Sequence, residues 1–186
     1  MLTSVRKQFS MKLENLFGDN LDISQDNFNK EVSLTIKTCK RIDICALPLN
    51  DPKTSLEYIA GLMAQYKTML ESRYIHMREL RSLLRNIIVV ATCNYSSLTS
   101  RNTNESYSFL KATLKKKNAD YGNSAVKNGG LVGNYVRMSD KLNRLQNLTA
   151  KTKAEQNFES ISDTWLDLAG YAVIGIIISK LQENIV

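Results

Sequence analysis

Only two prolines, Pro48 and Pro52, occur in the 186 residues, and they sit in one short stretch. Proline interrupts helices, so the long tracts without it leave room for them. Sustained apolar–polar alternation of the strand kind is also missing. Histidine is rarer still: His76 stands alone, and no serine or cysteine has a base partner. Nucleophilic triad chemistry is therefore disfavoured, and His76 reads as a bystander on a helix. Three cysteines, Cys39, Cys45 and Cys93, form an odd set without CxxC spacing. That supports neither a disulfide framework nor a zinc site, and fits reduced thiols in a cytoplasmic protein. The N-terminus MLTSVRKQF lacks an apolar h-region, so no secretory signal is expected. The most apolar stretch, LAGYAVIGIIISKL, runs between Asp167 and Lys180. It reads as too short for a membrane span and hence as a buried helix.

Hydrophobic residues make up 43% of the chain, enough for a packed core. The length suits one domain with an N-terminal extension, or at most two small domains. A formal net charge of +7 and a pI of about 9.3 favour anionic partners. A nucleic-acid binder would carry a basic stripe interleaved with exposed aromatics. Here the cations are scattered, apart from Lys115, Lys116 and Lys117, which disfavours nucleic acid.

Helical spacing is expected from Val5 to Phe17, with Gly18 as a stop, and again from Asp26 to Ile42. ALPLNDP reads as a connector, with cap chemistry between Asp51 and Ser55. Residues 55–93 carry a long helical pattern that breaks near Ser72–Arg73 into a hairpin. The polar, unpatterned YSSLTSRNTN, Tyr95 to Asn104, reads as the linker of the chain. It separates an N-terminal helical region, 1–100, from a domain at 105–186. Further helices are expected over Glu105–Asn118, Leu131–Thr149 and Phe158–Gln182, which makes the fold an all-α helical bundle.

Chemistry concentrates in the C-terminal half. On the helix after Gly130, Leu131, Tyr135, Met138, Leu142 and Leu145 define a core stripe, with Arg137, Asp140, Lys141 and Arg144 on the neighbouring face. One carboxylate among three cations is a poor balance for self-pairing and a good one for holding phosphate. Glu159, Asp163 and Asp167 follow at intervals of one turn on the last helix. Asp167 is set in apolar sequence, where a lone carboxylate is costly. Either a salt bridge to Arg137, Lys141 or Arg144 compensates it, or Asp140, Glu159, Asp163 and Asp167 hold a cation such as Mg²⁺. In LKKKNADYGNS, Asn118, Asp120, Gly122 and Asn123 tolerate left-handed backbone, and Gly122 permits close approach to a ligand. Tyr121 could stack on a base or fill the core beside Trp165. GGLVG, Gly129 to Gly133, lacks the Walker spacing and follows no strand.

Three blocks in this order, KKKNADYGNS, GLVGNYVRMSDKLNRLQNL and FESISDTWLDLAGYAVI, carry a family pattern. Between about residues 105 and 180 the chain resembles the nucleotide-modification-associated domain family, found mostly in bacteriophages. The resemblance implies a compact helical domain in phage nucleotide metabolism. Its motif positions fall on Lys117, Asp120, Tyr121, Gly122, Arg137, Asp140, Lys141, Arg144, Glu159, Asp163, Asp167 and Tyr171. By fold-level analogy, acidic helices beside basic side chains are similar to the all-α nucleoside triphosphate pyrophosphatases, although no E-x-x-E block lies opposite the last helix.

The expected function is the gripping of a phosphate-bearing nucleotide by Lys117, Asp120, Tyr121, Gly122, Arg137, Lys141 and Arg144, with Mg²⁺-assisted hydrolysis open as an activity. The alternative is a non-catalytic sponge for a nucleotide or cyclic-nucleotide immune signal. Either would act in the cytoplasm, away from membranes, as a homo-oligomer, with residues 1–100 supplying oligomer contacts or part of a pocket wall.

Overall fold

The computed structural model of the chain describes residues 21–49, 51–72, 74–122, 124–150 and 161–183. Among them there are seven α-helices, one 3₁₀ turn at Ile44–Ala46 and no strand. The helices are α1 (Gln25–Cys39), α2 (Pro52–Glu71), α3 (Met77–Thr99), α4 (Thr103–Tyr121), α5 (Ser124–Lys127), α6 (Gly130–Ala150) and α7 (Ile161–Glu183). The all-α reading holds. The helix expected at Val5–Phe17 and the residues Asn123 and Glu159 lie outside the described residues.

Helix starts follow capping chemistry. Ser24 Oγ accepts from Asn27 N at 3.3 Å, and Asp51 Oδ1 accepts from Thr54 N at 2.9 Å ahead of Pro52. Asn102 and Glu105 form a reciprocal capping box at the start of α4. The predicted break of the 55–93 pattern is real, since α2 ends at Glu71 and α3 begins at Met77.

The stretch Tyr95–Asn104 is not a linker. It holds the last turn of α3, a short corner with Ser100 in the left-handed region (φ 54°) and the first turn of α4. Its hydroxyls bond back along the helix: Ser96 and Thr99 each donate, at 2.8 Å, to the carbonyl four residues earlier. Ser96 Oγ also pairs with Ser106 Oγ at 2.8 Å, where the Ser106 hydroxyl can donate, closing the corner from inside. Polar side chains that satisfy themselves on the backbone leave no apolar period, so the helix is invisible to pattern. The expected boundary between the two halves falls at this corner, and buried residues on both sides join one core.

That core is organised around α7, whose side chains are buried on nearly every face from Thr164 to Ser179. It packs chiefly on α3 and α6, with α1, α4 and α5 covering the rest. At 23 residues, α7 is long and apolar enough to cross a membrane by length and composition, so the shortness expected of this run does not hold. Yet 72% of its most apolar window is buried inside the bundle, and those neighbours account for its apolarity. Ion pairs tie its C-terminal end: Lys180 to Glu31 of α1 and Arg81 of α3 to Glu183, each at 2.6 Å.

On α6 the buried stripe is Leu131, Asn134, Met138, Leu142 and Leu145. Asn134 takes the deep position expected for Tyr135, which lies half-buried with its ring edge-on to Tyr66 at 5.5 Å. The fully buried Asn134 amide donates to the Tyr171 carbonyl at 2.8 Å. The Tyr66 hydroxyl bonds the Leu131 carbonyl at 3.0 Å and reaches Asn134 Oδ1 at 3.4 Å. One polar cluster thus joins α2, α6 and α7 inside an apolar core.

Gly175 allows that cluster to form, since a Cβ there would stand 2.6 Å from Asn134 Oδ1 and 3.1 Å from Leu84 Cδ1. Gly175→Ala should lower stability by about 1–3 kcal/mol, the range for overpacking a core. Gly61→Ala on the exposed side of α2, where a Cβ meets nothing within 4 Å, should raise it by about 0.5–1 kcal/mol. Urea denaturation of the two variants measures both signs.

Candidate functional site

The face of α4 that buries Leu110 and Leu114 continues, at the same three-and-four spacing, into Lys117, Asn118 and Tyr121. The helix therefore leaves the core while still presenting that face, and its last turn places polar groups beside apolar ones. Gly122 ends it at φ 61°, ψ −152°, a backbone region open essentially to glycine alone. The chain then turns into α5 and, through Gly129 and Gly130 at positive φ, into α6. GGLVG is the tight entry to α6: a Cβ on Gly133 would lie 2.5 Å from the Asn128 carbonyl oxygen.

Between these elements lies a cavity of 340 Å³. Its floor is apolar, built from Phe28, Leu110, Leu114, Leu166, Gly170 and Ile174. Its polar lining comprises Thr113, Lys117, Asn118, Tyr121, Ser124, Arg137, Asp167 and Tyr171. The α7 side is a single helix face, Leu166–Asp167–Gly170–Tyr171–Ile174, and Gly170 lets Leu114 close against it. Phe28 comes from α1, so the N-terminal half does supply part of the wall.

Asp167 is the polar exception on α7, and two lysines hold it. Lys141 Nζ lies 2.8 Å from Oδ2 and Lys117 Nζ 2.9 Å from Oδ1. Burial by itself pushes the carboxyl up, but the two ammonium groups outweigh it and keep the carboxyl below its usual range. Lys141 was among the expected partners. Lys117, fifty residues away in sequence, was not. The two differ in setting, the Lys141 side chain being 20% exposed and that of Lys117 55%.

Arg137 is the opposite case. It is half-buried on the cavity wall, donates from one guanidinium nitrogen to the Ala125 carbonyl at 3.2 Å, and makes no ion pair among the described residues. A guanidinium has five N–H donors, so most of its capacity for planar, bidentate recognition remains.

The structure gathers Lys117, Tyr121, Gly122, Arg137, Asp167 and Tyr171 at this cavity, with Lys141 behind Asp167. Tyr121 is 73% exposed at its edge, while Trp165 is fully buried, so Tyr121 does not fill the core. Asp120 is exposed and does not line the cavity. Asp140 and Arg144 line a separate, shallow hollow further along α6 with Lys141. Asp163 is exposed and lines neither. Among the described residues no group of three or more His, Cys, Asp or Glu side chains is placed to hold a metal ion. Both Asp167 oxygens already face ammonium groups, so the described carboxylates do not fit the Mg²⁺ set expected of Asp140, Asp163 and Asp167. Glu159, the fourth member, is outside the described residues. Burial pushes the Cys39 thiol up to about 12, which leaves it inert at neutral pH.

Sequence reasoning missed Phe28, Thr113, Ser124 and the apolar floor. Only the α4 spacing from Leu110 to Tyr121 hinted that the DYG turn and a core face belong together.

Residues 117–178 match the model of the family described as nucleotide modification associated domain 1. The match begins at Lys117 and includes Arg137, Lys141, Asp167 and Tyr171. Neither a curated protein nor a solved structure matches the chain.

The Lys117–Asp167–Lys141 bridge gives two expectations. Lys141→Met should cost about 1.5–3 kcal/mol, as for a shielded bond to a charged group, and the more exposed Lys117→Met less than about 1 kcal/mol. The folded Asp167 carboxyl titrates below its unfolded value of about 3.9, so the bridge stabilises in full above about pH 4. That contribution is lost as pH falls through the folded value. The stability gap between the wild-type chain and Asp167→Asn should therefore shrink on acidification, as read by urea melts at neutral and acid pH.

Proposed function

We propose that the protein binds a phosphate-bearing nucleotide in the 340 Å³ cavity between α4, α6 and α7. The observation that carries this reading is Arg137, a half-buried guanidinium on the cavity wall whose hydrogen-bond partner among the described residues is the neutral Ala125 carbonyl. Such a group is best satisfied by a planar or tetrahedral anion that accepts two hydrogen bonds, and phosphate is the natural choice. Lys117 lies on the same cavity, exposed enough to leave Asp167 and turn to a ligand without unfolding the bridge, because Lys141 stays on the other oxygen.

The rest of the lining suits the rest of a nucleotide. The apolar floor takes a base or sugar face, Tyr121 at the edge offers a stacking surface, and Asn118, Thr113 and Ser124 offer donors and acceptors for directional contacts. Gly122 keeps the backbone bare of a side chain where the ligand would enter. The match of residues 117–178 to a nucleotide-modification-associated domain agrees with this chemistry.

Isothermal titration calorimetry with nucleoside phosphates tests the reading. Arg137→Gln should weaken binding by roughly 10–100-fold, while circular dichroism and melting temperature stay near those of the wild type. Tyr121→Ala should weaken nucleotides by about tenfold and leave inorganic phosphate unaffected. Nucleotide affinity indifferent to both substitutions would remove the cavity as the binding site.

A further inference from the structure

Resting on that reading, we infer that the cavity takes a nucleoside monophosphate, one base and one terminal phosphate, in preference to di- and triphosphates and to cyclic dinucleotides. Three observations converge. A volume of 340 Å³ stands at the low end of ligand cavities, roughly 300–1,000 Å³. At about 30 Å³ of liquid per water it matches on the order of ten waters, the scale of one mononucleotide and less than that of a dinucleotide. Among the described residues there is one apolar floor and one exposed aromatic edge at the cavity, Tyr121, so a second base has no counterpart among them.

The charge supply points the same way. Of the cations that meet the cavity, Arg137 is without an ion pair among the described residues and Lys117 shares Asp167 with Lys141. When Lys117 turns to a ligand, Lys141 stays paired with one Asp167 oxygen, and Lys117 and Arg137 both face the cavity. A phosphate monoester carries about −1.5 to −2 near neutral pH and is matched by those two. A triphosphate brings further anionic groups with no further lining cation among the described residues. Lys115 and Lys116, next to Lys117 in sequence, lie off the cavity face of α4.

The third observation is Asp167 itself. Its carboxylate forms part of the wall and stays ionised, so a phosphate chain running along the cavity would meet a like charge. The phosphate is thereby confined to the Arg137 side, and a ligand's hydroxyl or amino donors suit the Asp167 side. Asp167 acts here as a specificity-determining residue that rejects the longer chain.

The experiment is calorimetric titration of the full chain with adenosine and thymidine 5′-mono- and triphosphates, a cyclic dinucleotide and inorganic phosphate, without divalent cation and again with Mg²⁺. At least one monophosphate should bind tenfold or more tightly than its triphosphate and than the cyclic dinucleotide, in both conditions. Asp167→Asn should narrow that gap by admitting the triphosphate. Should the variant lose its fold, the double substitution Lys141→Met with Asp167→Asn removes the shielded charge pair together, keeps Lys117 for the ligand, and serves in its place. A triphosphate or cyclic dinucleotide within tenfold of the monophosphate, or tighter, overturns the inference and leaves nucleotide binding standing. A gap unchanged in the Asp167 variant overturns the role of Asp167. If no nucleotide binds at all, the reading of the site falls and the inference with it.

Discussion

A helix that is apolar on every face has to be covered on every face, and α7 is such a helix. Its side chains from Thr164 to Ser179 are buried almost without interruption, and no single neighbour is wide enough to enclose it. Five other helices therefore gather around it, α3 and α6 most closely. Burying each large aliphatic side chain contributes roughly 1.5–3 kcal/mol, so this one element sets the direction of folding for the bundle. Where two neighbours must come very near, α7 carries Gly170 and Gly175, and the gaps they leave are filled by Leu114 and by the Asn134 amide.

A carboxylate on such a helix has to be explained. Asp167 lies half-buried at the junction with the end of α4, and it is tolerated because Lys117 and Lys141 reach it from two different helices. Desolvation and charge pairing act in opposite directions on this group, and pairing wins. The same junction makes the cavity. Two long helices meet over a glycine, α4 ends on a second glycine, and the space between them is roofed only by the short α5. Electrostatics in this space are asymmetric, with a satisfied carboxylate on one wall and, on another, a guanidinium without an ion pair among the described residues.

Most helices were legible in the sequence because apolar residues recur at three and four and because Asp51 offers cap chemistry ahead of Pro52. The corner between α3 and α4 was not. Ser96 and Thr99 spend their hydroxyls on their own helix, so a helical turn carries the composition of a loop. Asn134 hid for a related reason, a polar residue in a core position that only Tyr66 and the Tyr171 carbonyl make tenable. The apolar run of α7 reads as short because Asp163 and Asp167 interrupt it, yet the helix itself spans Ile161–Glu183, close to the expected Phe158–Gln182.

Sequence alone determined that this chain is helical, that its last long helix is buried, and that Lys117, Tyr121, Gly122, Arg137 and Asp167 belong to one region. These follow from local periodicity, from the conformations open to glycine and from the cost of a carboxylate among apolar neighbours. Tertiary structure alone decided which charges meet. Lys117 reaches Asp167 across fifty residues, Phe28 arrives from α1 to close the floor, and Asp140 and Arg144 turn to another hollow. Spacing along a helix fixes the face on which a side chain stands. Only the packing of that helix against others fixes what the face looks at.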